Sequence, residues 1–234
     1  MWNRRADQIE CQIRLTLIRH GKTPGNEEHR YIGRTDEALS DGGRAELKEK
    51  KKAGYYPDAD MLAVSPMKRC RQTAEILYPE KEQICVTALR EMDFGEFEGK
   101  NYEELQGDTR YQAWIDSGGA LAFPGGESRE AFTARCRDGL FSLLEELGKT
   151  KKRPEHIAAV VHGGTIMALL SSCDVQAVDE VSGVRGQTDE EMHYYDYQCA
   201  NGEGFTGIFS GTFREDGTLC RESAAITDIR RLVC

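Results

Sequence analysis

Short apolar runs and longer amphipathic stretches take turns along this chain. Leu15 to Ile18 form the first run, which stops at Arg19, His20 and Gly21; bounded by turn residues, it predicts a buried strand. Met61 to Val64, Ile84 to Val86 and Ile157 to Val161 repeat the pattern. Between them the period lengthens to that of a helix. Ser40 suits the N-cap of a helix over residues 43–53, where Lys48, Lys50, Lys51 and Lys52 place positive charge toward the C-terminal end. Ser65 as cap and Pro66 at the first position predict a second helix to Leu77, with Met67, Cys70, Ala74 and Leu77 on one face. A third carries Phe132, Cys136, Leu140, Leu143, Leu144 and Leu147 and is expected to end at Gly148, and a fourth covers Thr165 to Ser171.

Strands alternating with helices predict an α/β fold: a three-layer sandwich with a mostly parallel central sheet and helices on both faces. Phe205 to Phe213 and Leu219 to Ile226, joined across Glu215-Asp216-Gly217, add an antiparallel hairpin. Residues 22–41 read as a loop. Residues 101–123 look helical and aromatic, and the segment 101–128 is either a cap over a site or a small packed layer. Residues 174–200 show no readable pattern.

Two strand ends carry the chemistry. Arg19, His20 and Gly21 close the first strand; His162, Gly163 and Gly164 close the run at 157–161. In open α/β sheets ligands bind at such carboxyl ends, so the two histidines point to one shared site. Helix N–H groups starting at Gly163 can face an anion, and Arg69 falls on the same rim.

The length of 234 residues fits one domain, residues 1–234, with a polar N-terminal extension at 1–12 that lacks the apolar core of a secretion signal. A cytoplasmic location is therefore expected. No run reaches the ~20 apolar residues of a membrane span. A net charge of −9 argues against nucleic acid or an anionic membrane as partner; a homodimer stays open. The eight cysteines are scattered without two-residue spacing, so buried free thiols are expected in preference to disulfides or a metal site. No metal and no cofactor are expected.

Leu17-Ile18-Arg19-His20-Gly21-Lys22-Thr23, followed by Asn26, Gly33, Asp36, Leu39, Ser40 and Gly42, resembles the signature of the histidine phosphatase superfamily, phosphoglycerate mutase-like branch. The likeness continues through Ser65-Pro66, Arg69 and Gln72-Thr73-Ala74, then Leu89 to Gly99, and on to His162. It implies the same fold and a phosphohistidine mechanism. Under it, His20 attacks phosphorus, Arg19, Arg69 and His162 hold the phosphoryl oxygens, and Glu91 is the proton donor. Asp93, Glu96 and Glu98 compete with Glu91 on spacing alone. Thr23, Asn26 and Gly163 are candidate phosphate contacts, Asn26 otherwise completing a loop turn; His29, His156 and His193 read as surface residues.

The favoured activity is hydrolysis of a small phosphorylated substrate, such as α-ribazole 5′-phosphate or a sugar phosphate, because Leu89 to Gly99 and Pro124 to Ser128 resemble that phosphatase branch. The alternatives are a mutase and a silent phosphate-binding module. Against the mutase, its pattern carries Trp where Gly25 stands, and Glu27 and Glu28 would oppose a second anionic group.

Overall fold

The computed structural model describes residues 1–5, 8–150, 152–173 and 193–233. In chain order the elements are β1 (Trp2–Arg5), β2 (Gln8–Arg19), α1 (Pro24–Glu27), α2 (Asp41–Lys52), β3 (Met61–Val64), α3 (Lys68–Leu77), β4 (Gln83–Cys85), α4 (Thr109–Asp116), α5 (Arg129–Thr150), β5 (His156–Val161), α6 (Gly163–Cys173), β6 (Gly204–Arg214) and β7 (Leu219–Arg231). The strands form one seven-stranded sheet in the order β4-β3-β5-β2-β6-β7, with β1 beside β2. From β4 to β2 every pairing is parallel; β6 and β7 extend the sheet antiparallel on the far side of β2.

Alternation within the central strands makes the three layers. Leu15 and Leu17 of β2 and Ile157, Ala159 and Val161 of β5 join the core that includes α5 and α6. Ile18, Ala158 and Val160 turn the other way, against Leu47 of α2 and Cys70, Ala74 and Leu77 of α3. Successive side chains leave a strand on opposite faces, so a continuous apolar run is required wherever helices cover both.

The expected fold is present, with local corrections. Residues 2–5 and 8–12 belong to the sheet: Ile9, Cys11 and Ile13 alternate with polar neighbours, lengthening β2 to 12 residues, and β1 pairs with its first half. Thr23 caps a short α1 inside the expected 22–41 loop. Ser40 does cap α2, accepting from Gly43 N at 3.0 Å. Ser65 does not cap α3; Asp36 Oδ1 accepts from Lys68 N at 2.6 Å there. Gly148 lies inside α5, where a Cβ would meet Gly217 O at 2.8 Å, so it serves packing against the β6–β7 turn. Of residues 101–123 only α4 is helical, because Gly107, Gly118 and Gly119 hold positive φ around it. His156 is buried, its Nε2 2.8 Å from Thr16 Oγ1. The unreadable residues 174–192 lie outside the described residues. All seven described cysteines are free, and Cys11, Cys70, Cys136, Cys173 and Cys199 are buried. No described helix is long and apolar enough to cross a membrane.

Candidate active site

β2 and β5 run side by side with Arg19 opposite Val161, so their C-terminal ends deliver His20 and His162 to the same place. The two rings lie edge-on, 5.2 Å between centroids. His20 Nδ1 is 2.7 Å from Gly21 O. A carbonyl only accepts, so Nδ1 carries the proton and Nε2 keeps its lone pair. Burial, reinforced by the Arg69 and Arg19 guanidinium charges, holds His20 well below the usual histidine range. His20 is neutral at pH 7.

His162 is also buried and held neutral, by desolvation first and then by Arg69. Its Nδ1 accepts from Arg69 Nε at 3.3 Å, which puts the proton on Nε2, 2.7 Å from Ser65 Oγ. Arg69 is fully buried and spends its remaining donors on the carbonyls of Ile32, Gly33 and Thr35.

A cavity of about 280 Å³ opens at these strand ends, and Arg19, His20, Asn26, Glu91, Gly163 and Gly164 all line it. Arg19 donates from one terminal nitrogen to Cys199 O at 2.7 Å, while its Nε is buried without a partner. Such a donor is costly to bury unless an anion meets it. Glycine is needed beside it: a Cβ on Gly163 would sit 3.3 Å from Arg19 Nε, and one on Gly164 would run into the Glu91 carboxylate. Asn26 Oδ1 accepts from Thr23 N and from Asn201 Nδ2, leaving its own Nδ2 as the donor on the cavity wall. Asn26 thus completes a turn and lines the site together.

Glu91 accepts from Met92 N at 2.9 Å and Gly164 N at 3.3 Å. Burial nevertheless raises its carboxyl above the ordinary glutamate range, over the lowering pull of those N–H groups and of Arg69 and Arg19. None of its rivals lines the cavity. Asp93 Oδ1 accepts from Gly95 N, Glu96 pairs with Arg110, and Glu98 Oε1 holds Gly33 and Thr35.

Three expected phosphate contacts do not line the cavity. Thr23 is buried and accepts from Asn26 N as the α1 cap. Arg69 and His162 are fully buried, the His162 ring against His20. Sequence reasoning missed Asn201, which donates to His20 O at 3.1 Å, while Gly202 N donates to Arg19 O and His20 O. Among the described residues no three His, Cys, Asp or Glu side chains are grouped to hold a metal.

Residues 15–188 match the profile of the histidine phosphatase superfamily, branch 1. The chain belongs to that family. The family together with its phosphatase-named relatives supports a hydrolase acting on phosphomonoesters. The uncharacterized phosphatase PhoE of Bacillus subtilis is 30% identical over 161 residues, covering 67% of this chain and 75% of that protein. A 2,3-bisphosphoglycerate-dependent phosphoglycerate mutase of Gloeobacter violaceus is 28% identical, covering 73% and 80%. The structure of an Escherichia coli protein assigned provisionally as an α-ribazole-5′-P phosphatase superposes with TM-score 0.66 over 92% of this chain and 95% of that one; at 19% identity it shows the fold alone.

Proposed function

We propose that the chain hydrolyses a small phosphomonoester through a phosphohistidine on His20, without a metal. The observation that supports this most directly is one cavity holding the neutral, unprotonated Nε2 side of His20, the unpartnered Nε of Arg19 and a Glu91 carboxyl raised toward its protonated form. Nε2 attacks phosphorus and the ester P–O bond breaks, the proton of Glu91 passing to the departing alkoxide. The Glu91 carboxylate then takes a proton from water, which attacks phosphorus and frees His20 and inorganic phosphate. Arg19, the Asn26 amide and the N-terminus of α6 meet the charge spread over the phosphoryl oxygens. Arg69 and His162 are buried next to His20 and do not line the cavity, so this reading gives them no direct contact with the phosphoryl oxygens. α-Ribazole 5′-phosphate and sugar phosphates are the substrates to test first.

A mutase reading is disfavoured by charge. Glu27 and Glu28 do not line the cavity, so they oppose no second anion directly; Glu27 accepts from Ser40 Oγ. Glu28 and Glu104 instead neutralise Arg30, a cation that does line the cavity. The Trp of the mutase pattern has no room either, since a Cβ on Gly25 would meet Ile32 at 2.6 Å. The deciding experiment labels the enzyme with a radioactive phosphomonoester. Label stable to alkali, lost in acid and unchanged in EDTA is expected. Activity lost in EDTA and restored by magnesium, or conversion of 3- to 2-phosphoglycerate faster than phosphate release from every substrate, would overturn the reading.

A further inference from the structure

Beyond the phosphate end the cavity changes character. Tyr31, Phe94, Trp114 and Phe123 line it and lock one another: Trp114 and Phe123 lie 4.8 Å apart, Phe94 and Phe123 5.1 Å at 89°, Tyr31 and Phe94 5.2 Å. Tyr31 is fixed further by its hydroxyl, 3.1 Å from Tyr111 Oη. Tyr194 lines the cavity as well, with the Arg129 guanidinium 5.2 Å over its ring. Sugars and glycerates carry hydroxyl or carboxylate groups that need polar partners on every side; the four interlocked residues offer ring faces and edges, and Arg30, Arg129 and Gln198 supply the polar part of the lining around them. Arg30 is held by Glu28, Glu104 and the carbonyl of Gly99, so it recruits no further anion.

We propose that this end of the cavity is a subsite for a planar aromatic group, and that the preferred substrates are phosphomonoesters whose alcohol carries a one- or two-ring aromatic body. The inference rests on the phosphomonoesterase reading above. A rigid array of ring edges and faces favours an aromatic guest through offset and edge-to-face contacts beyond simple apolar burial. A volume of about 280 Å³, just under the range usual for small-molecule sites, suits a ring or two beside the phosphate and excludes extended chains. Fixing that body in the cleft also aligns the ester oxygen with His20 and Glu91.

The test must separate recognition from leaving-group acidity, so every substrate leaves as an alkoxide. Phosphate release is compared for 2-phenylethyl phosphate, 2-(1-naphthyl)ethyl phosphate, glycerol 3-phosphate and glucose 6-phosphate. The two aryl-alkyl esters should exceed the polar pair in kcat/KM by about tenfold or more, the factor one or two ring contacts supply. Trp114→Leu, which keeps the wall filled, and Phe94→Leu should each lower the aryl-to-glycerol ratio by several-fold. Equal kcat/KM across the panel, or a ratio unmoved in both variants, would overturn the subsite while leaving the phosphatase reading intact. Release from no member, with His20 never labelled, would overturn both.

Discussion

The ends of β2 and β5 are written alike, an apolar strand closing on histidine and glycine, yet the two histidines are set for different work. His20 spends its Nδ1 proton on the carbonyl of the next residue and presents an unprotonated Nε2 at the cavity. His162 has both nitrogens engaged, with Arg69 and with Ser65. Burial keeps both neutral. Under the proposed mechanism, what separates a nucleophile from a support is the partner of each ring nitrogen, a property of the fold that similar local sequence does not encode.

Exchanging the two roles gives the largest effect. His20→Ala should lose on the order of 10⁴-fold or more in kcat and all alkali-stable label, because His20 is the only histidine among the described residues that line the cavity. His162→Ala should keep the label while turning over more slowly. Label retained in His20→Ala and lost in His162→Ala would reverse the comparison.

Glu91→Gln comes next. Removing the acid should lower kcat by about 10²–10⁴-fold for alkyl phosphates, and by less for aryl phosphates, whose phenolate departs without full protonation. The pH profile carries a second mark. His20 must be unprotonated, and its value lies well below 6.5; Glu91 must be protonated for the first step, and its value is raised above 4.5. Activity on alkyl phosphates should thus decline on the alkaline side as Glu91 ionises, and that limb should vanish in Glu91→Gln. Asp93→Asn is the control; a larger loss there would move the acid.

How much of this was legible in the sequence depends on how local the cause is. β3 and the convergence of His20 with His162 follow from short apolar runs and strand-end logic. The first half of β2 was readable too, as the alternation Ile9, Cys11, Ile13, but its polar partners made it look like a tail. Ser65 misled because a serine before proline suits a helix cap equally well, and its bond to His162 spans 97 residues. Asn201 had no local signal at all: it reaches His20 across 181 residues, from just past the unpatterned stretch 174–200. The aromatic residues at 111–123 were visible, and only packing reveals that they serve as core and cavity wall together.

Each histidine has its own prop, which sharpens the contrast at smaller amplitude. Asn201→Ala removes the donor that holds His20 O and Asn26 Oδ1. It should lower kcat by about tenfold, a loss of the size of one hydrogen bond, with little change in KM. Ser65→Ala removes the acceptor for His162 Nε2–H and should slow turnover less, with Ser65→Thr restoring it. A Ser65→Ala loss exceeding that of Asn201→Ala would mean that His162 is the more tightly constrained partner.

The smallest effect concerns stability. His20, His156 and His162 are all held below 6.5, desolvation first in each case. The unfolded chain then binds more protons than the folded one as pH falls below 6.5, so stability is fully present above that value and is lost progressively toward the lowered folded values. Glu91 works in the opposite sense from 4.5 upward to its raised value, but one carboxyl faces three histidines. Thermal unfolding should therefore show a midpoint that is flat from pH 8 to 7 and falls between 6.5 and 5.5. His20→Asn supplies an amide where Nδ1–H now meets Gly21 O and cannot titrate, so it should reduce the slope of that fall while keeping the plateau. An unchanged slope would mean that His20 gains its proton without penalty in the folded state, and with it the claim that burial keeps this ring neutral for attack would fail.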